Sequence, residues 1–169
     1  MNDYTTIVTI ERPTSAVFAT VLDTRGWWNE KIDGSTAQPG DEFGFEVPGL
    51  HHTRIRVTEV TPDERIEWLI LENGFTFVSD QSEWVGNRIV FDFDNVGEKT
   101  VLTFTQHGLV PEYECYDVCA NAWTFFIGDS LRALVENGVG QPEVRGDAAS
   151  AALAHEAVAV LRNRDTEHA

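Results

Sequence analysis

The sequence predicts an α+β domain in which a curved antiparallel sheet of about six strands wraps around one long C-terminal helix. Three observations carry that expectation. Several short stretches between residues 42 and 105 alternate apolar and polar side chains with a period of two. Turn-forming clusters separate most of them. After Pro111 the apolar spacing becomes three and four and continues to Asn137.

The elements follow in order. Residues 5–11 read as a strand, with Ile7, Val8 and Ile10 in a Thr-rich run closed by Pro13. Thr14 is placed to cap a helix over about 15–23, with Val17, Val21 and Leu22 as its apolar side. Gly26 breaks it before Trp27-Trp28, and a polar loop runs to Pro39-Gly40. Five alternating runs come next. They place Phe43 and Phe45, Ile55 and Val57, Ile66, Trp68 and Ile70, Ile89, Phe91 and Phe93, and Leu102 and Phe104 on one face. The separators are Pro48-Gly49, Thr61-Pro62-Asp63-Glu64, Asn73-Gly74 and Asn95-Val96-Gly97. Pro111 then opens the long helix, which Asn137-Gly138 stops. Tyr116, Cys119, Ala120, Trp123, Phe126, Ile127 and Leu134 form its stripe. At about 24 residues it spans about 36 Å, enough to cross a sheet. Residues 1–138 are thus expected to form the domain. Residues 139–169 form a linker, with Gly140, Pro142 and Gly146, and an Ala-rich tail helix over about 148–163.

Composition narrows the function. The 169 residues suffice for one domain with a core that needs no staples. Twelve Lys and Arg against 28 Asp and Glu give a formal charge of −16, which repels a phosphate backbone and an anionic membrane surface. Nucleic acid is therefore not an expected partner. No stretch approaches the roughly 18 apolar residues of a membrane span. The first residues lack the basic and apolar regions of a secretory signal. Two cysteines, Cys115 and Cys119, are too few for a disulfide framework. A cytoplasmic protein with reduced thiols is the expectation.

Particular residues carry a resemblance. Glu11-Arg12-Pro13-Thr14-Ser15-Ala16-Val17-Phe18, the pair Trp27-Trp28, and Phe104-Thr105-Gln106-His107-Gly108-Leu109-Val110-Pro111 occur in that order. Glu114-Cys115, Cys119, Trp123 and Ser130-Leu131 follow within the helix. Over about residues 5–138 this resembles the START-related, polyketide-cyclase-like (SRPBCC) superfamily and its helix-grip fold. The branch resembled is named for activators of the heat-shock chaperone ATPase. Gln106-His107 moves the superfamily's histidine by one position, so His107 is not carried over as a site. The resemblance implies a cavity between the concave sheet face and the long helix, where relatives take up lipids, steroids, plant hormones or polyketides. It also implies that a homodimer is common, and that the fold alone does not fix the function.

The residues expected to line that cavity are Trp27, Trp28, Phe43, Phe45, Trp68, Phe91, Phe104, Tyr116, Cys119, Trp123 and Phe126. Bulky rings on a curved sheet suit a concave apolar site as well as a filled core. In an extended segment one of Trp27 and Trp28 would point inward and the other would cap the rim. Cys115 and Cys119, four apart on a helix, read as buried packing rather than metal ligands. The parity of β-structure sends His52, Arg54, Arg56, Asp92 and Asp94 to solvent. No phosphate loop, nucleophile elbow or zinc-protease signature is present. No catalytic residue, metal or cofactor is expected. The leading expectation is an apolar small-molecule binder. The alternatives are a protein-interaction module with an acidic surface, and a cyclase- or hydrolase-type enzyme.

Overall fold

In the computed structural model, which describes residues 2–81 and 83–143, the chain begins with β1 (Tyr4–Ile10). Two short helices follow, α1 (Thr14–Leu22) and α2 (Thr24–Trp27). Then come β2 (Asp33–Gly34), β3 (Glu42–Val47), β4 (His51–Thr61), β5 (Arg65–Phe75), β6 (Arg88–Val96) and β7 (Lys99–His107). They form one antiparallel sheet of seven strands in the order β1-β7-β6-β5-β4-β3-β2. Only the two-residue β2 was not legible as a strand.

The alternation places side chains as the period requires. Ile55, Val57, Ile66, Trp68, Ile89, Phe91, Leu102 and Phe104 are fully buried on the inner face. The outer face carries ion pairs, Arg56 with Glu42 at 3.2 Å and Arg65 with Asp92 at 3.1 Å. Register shifts between Arg54 and Ile55, where Leu71 of β5 is the extra residue, and between Val57 and Glu59, where Thr58 of β4 is, add local bend and twist to both strands. One expected turn is not a turn. Asn73 and Gly74 lie inside β5, paired with Thr53 and His52, because β4 and β5 run eleven residues each.

The long helix is built in three parts: α3 (Tyr116–Phe125), a π-helical segment (Phe126–Leu131) and α4 (Arg132–Asn137). It starts five residues after Pro111, because residues 111–115 form turns. Gly138 in the left-handed conformation closes it, as Asn137-Gly138 announced. The wider turn of the π segment brings Ile127, Ser130 and Leu131 all to the core side. The chain then folds back. Gln141 N–H donates to Ser130 Oγ at 2.7 Å, Glu143 N–H to the Trp28 carbonyl at 2.8 Å, and Glu30 N–H to the Glu143 carbonyl at 3.1 Å. Residues 140–143 thus strap the loop that carries the paired tryptophans. The tail helix expected over 148–163 lies outside the described residues. No described helix is long and apolar enough to cross a membrane.

Candidate functional site

The inner sheet face and α3 enclose an interior made largely of aromatic rings. Trp68 on β5 meets the edges of Phe43 and Phe91 at 5.0 and 4.9 Å between centroids. Phe104 on β7 packs on Phe91 at 5.2 Å and on Trp123 of α3 at 4.6 Å. Trp28 lies among them. It stacks on Trp68 at 5.9 Å with 9° between planes, tilts against Trp123 at 4.9 Å, and meets the edge of Phe45 at 5.0 Å.

Trp27 and Trp28 do not diverge as an extended segment would make them. Trp27 ends α2 and Trp28 is its C-cap, so the backbone turns between them. The two rings stack at 6.1 Å and 16°, and both are buried. Their anchorage differs. The Trp27 indole N–H donates to the Val21 carbonyl at 3.1 Å, and Ser130 Oγ donates to the Trp27 carbonyl at 2.7 Å.

Of the expected lining residues, Trp27, Trp28, Phe43, Phe45, Trp68, Phe91, Phe104, Cys119 and Trp123 are buried in one core. Tyr116 and Phe126 only pack against it from half-buried positions, and Phe126 pairs with Phe125 at 5.3 Å. Three residues outside that expectation belong with the aromatic set. Trp84, in the loop between β5 and β6, stacks parallel to Trp123 at 6.1 Å. His51 stacks on Phe75 at 4.1 Å and meets the Trp84 edge at 5.3 Å. Parity could have found His51, which shares a face with Thr53, Ile55 and Val57. Trp84 sits in a loop without period, where no pattern points inward.

The polar groups at this end hold the frame. Glu83 accepts the backbone N–H of Glu114 at 2.8 Å and of Cys115 at 3.4 Å. In return Glu114 accepts the Ser79 N–H at 3.2 Å. The two carboxylates clasp the β5–β6 loop to the start of α3, where the helix dipole favours negative charge. Burial pushes the Glu83 carboxyl up, with Glu114 and Asp80 adding to the rise against the two N–H donors. Deeper in, Trp123 Nε1–H donates to Gln106 Oε1 at 2.8 Å, and Gln106 Nε2–H donates to Asn87 Oδ1 at 2.9 Å. Read with its nitrogen toward His51, the Asn73 amide meets His51 Nε2 at 2.7 Å and Thr53 Oγ1 at 3.2 Å. Burial lowers His51 to about 4, so the ring is neutral at pH 7.

Among the described residues four buried polar groups stay without a hydrogen-bond partner: Thr24 Oγ1, Asn29 Nδ2 and the indole N–H groups of Trp68 and Trp84. Trp84 leans on the Cys119 sulfur, which is a weak acceptor. Cys115 and Cys119 are both buried and free. Burial, and then the neighbouring Cys115, push the Cys119 thiol well up, away from the reactive thiolate. Among the described residues, no three of His, Cys, Asp and Glu converge as a metal site would require. An open polar cleft of about 290 Å³ lies by β3 and β4, lined by Lys31, Asp33, His52 and Arg54, and touches the aromatic set only at Phe45.

The model of one family, described as Activator of Hsp90 ATPase homolog 1-like protein, matches residues 11–136. The chain belongs to this family. The family model takes in α1, the sheet from β2 to β7 and the long helix, and stops short of residues 140–143. Solved structures agree on the helix-grip fold. The Aha1 dimer from Colwellia psychrerythraea is similar with a TM-score of 0.68 at 20% identity, over 83% of this chain and 100% of that one. DynU16, from the dynemicin biosynthetic locus, gives 0.61 at 17% identity over 83% of this chain and 49% of its own. BH1534 from Bacillus halodurans gives 0.60 at 16% identity over 80% and 98%. No curated protein matches the chain. At these identities the likeness shows the fold, and the aromatic interior is a property of this chain's own residues.

Proposed function

We propose that this helix-grip domain binds an apolar, aromatic-like small molecule between the sheet and α3. One observation supports the reading above others. All five tryptophans of the chain join in one unbroken series of ring contacts, Trp27 to Trp28, Trp28 to Trp68 and to Trp123, and Trp123 to Trp84. Small-molecule sites are lined by such rings with a few polar groups to orient the guest. Here the polar groups are the indole N–H donors, neutral His51 and Gln106. Apolar burial supplies the affinity, and the ring faces favour a flat guest over a branched one.

Mass spectrometry of the protein under native conditions, followed by organic extraction, tests this directly. The expected result is a retained small molecule whose occupancy falls in Trp123→Ala. Undiminished retention in that variant counts against a site on α3.

A second reading rests on charge. A formal charge of −16 and the family's description suit an acidic face that docks on a basic protein surface. Such docking weakens steeply with salt, and a pull-down unaffected between low and high ionic strength removes it.

A further inference from the structure

The two edges of the sheet are built differently. At one edge β2 is only two residues long. The Arg25 guanidinium donates to the carbonyls of Ile32 at 2.8 Å and Gly34 at 2.7 Å, and Asp33 pairs with Arg54 at 3.2 Å. Short strands and charged side chains are the usual means of closing an edge to other chains. At the other edge β1 has neither. It runs seven residues, Tyr4–Ile10, without a charge, a proline or a glycine. It pairs with β7 from Tyr4–Gln106 to Ile10–Thr100 with no register shift.

Two bonds at the ends of β1 fix which way its backbone groups point. In an antiparallel ladder the N–H and C=O of one residue point to the same side, and those of the next residue to the other. The Tyr4 N–H reaches the Leu109 carbonyl at 2.8 Å, on the β7 side. The Glu11 N–H, of opposite parity, turns to Glu136 Oε2 on α4 at 3.1 Å. Thr5, Ile7 and Thr9 share the parity of Glu11. Their N–H and C=O groups therefore point away from β7, and no described residue pairs with them. Their side chains stand on the outer face and are exposed, Ile7 at 64%. Backbone donors and acceptors in a row, beside β-branched side chains, are what an added strand requires.

Charge decides which strand fits. A second copy of the chain brings −16 against −16. Antiparallel pairing of two copies centred on Ile7 also sets Asp3 opposite Glu11 at both ends, and like charges directly opposite are unfavourable. A neutral segment flanked by Lys or Arg meets the opposite sign and is drawn in by the same field.

We propose that the free edge of β1 takes up an extended segment of a basic partner protein, about five uncharged β-branched residues between Lys or Arg, which adds to the sheet as a further strand. The proposal rests on the reading of an acidic docking surface and goes further, naming the element that docks and the chemistry of the segment it receives.

Amide hydrogen exchange of the whole chain, followed by NMR, tests it with the peptide Lys-Lys-Thr-Val-Thr-Val-Thr-Lys-Lys as probe. In the free protein the Thr5, Ile7 and Thr9 amides should exchange about tenfold or more faster than those of Thr6 and Val8. Saturating peptide should slow the three by about tenfold or more and leave Thr6 and Val8 as they were. Methylating the backbone nitrogens of the peptide's core should weaken binding about tenfold, the scale of one or two backbone hydrogen bonds. Ile7→Pro should weaken it similarly, since the N–H removed there makes no bond to β7. A peptide with glutamates in place of the lysines should bind about tenfold more weakly at low salt, or not at all. Binding that leaves the three amides fast, or ignores methylation, overturns strand addition; if that binding still fades with salt, the acidic docking surface stands. Equal affinity of the two peptides overturns the basic partner. Three amides already slow in the free protein mean that the edge is covered by the chain itself, or by a second copy where the slowing grows with concentration, and either result overturns the proposal. No binding of the lysine peptide at low salt also overturns it, and the salt dependence of the pull-down then decides the broader reading alone.

Discussion

Gln106→Leu isolates what the buried polar relay contributes. Gln106 is 0% exposed and serves two neighbours, accepting from Trp123 Nε1–H at 2.8 Å and donating to Asn87 Oδ1 at 2.9 Å. Leucine fills nearly the same volume, so the cavity term is small, but it strands both partners. An unsatisfied buried donor or acceptor costs about 1–3 kcal/mol. Asn87 retains only a long contact, 3.4 Å from its Nδ2 to the Tyr113 hydroxyl. Two stranded groups, less the apolar gain of the new side chain, give a loss of about 2–4 kcal/mol. That is a large part of a domain's usual stability of about 5–15 kcal/mol. With a urea m-value of about 2 kcal/mol/M, the midpoint should fall by about 1–2 M at unchanged slope. Trp123→Phe removes the donor that Gln106 serves, so the double variant should fall short of the sum of the singles by about 1 kcal/mol or more. A midpoint shift below about 0.3 M, or a strictly additive cycle, would show that these groups find other partners and that the relay does not fix α3 on the sheet.

Other outcomes follow from the strap and the buried ionisable groups. A Cβ on Gly140 would lie 2.2 Å from the Gly26 carbonyl oxygen, so Gly140→Ala should release residues 140–143 and lower stability by about 1–3 kcal/mol, with altered near-ultraviolet dichroism from the Trp27–Trp28 stack. Ser130→Ala, which removes the hydroxyl between Trp27 and Gln141, should act in the same direction, and wild-type behaviour of both variants would deny the strap a role. His51 is lowered from 6.5 to about 4 by burial, so the unfolded chain binds its proton first and stability should drop as pH falls through that window. His51→Phe should flatten this part of a stability-versus-pH curve. Burial raises the Glu143 carboxyl, which makes the folded state the better proton binder. Its contribution is therefore greatest below the usual 4.5 and is lost as pH rises through the raised value, so Glu143→Gln should stabilise the protein at neutral pH.

The sheet was legible because its signal is local and repeated. Phe43, Phe45, Trp68, Phe91 and Phe104 sit at alternate positions of runs with one apolar face, and the period of two leaves a single inward solution. The long helix was legible in its stripe but not in its start or its π segment, since both depend on tertiary bonds such as Glu83 to Glu114 N–H. Asn73-Gly74 misled, because a turn dipeptide was absorbed into a strand long enough to carry it past the turn. The stacking of Trp27 on Trp28 was hidden by assuming extended backbone where a four-residue helix ends. Trp84 and Glu83 were invisible to periodicity, because they come from a loop and are brought in only by α3. The candidate site was thus readable where regular elements build it, and unreadable where loops close it.

Gathering every tryptophan into one interior has an optical consequence. The rings stand 4.9 to 6.1 Å apart along the series, and none is more than 4% exposed. At such separations the indole transition dipoles couple, and excitation migrates among rings before it is emitted. The fluorescence of this protein is then a collective property rather than a sum of five independent emitters. Removing one ring should change the spectrum and the ultraviolet dichroism by far more than a fifth. The aromatic interior is in effect its own built-in dye, whose colour and chirality record whether the rings are still in register.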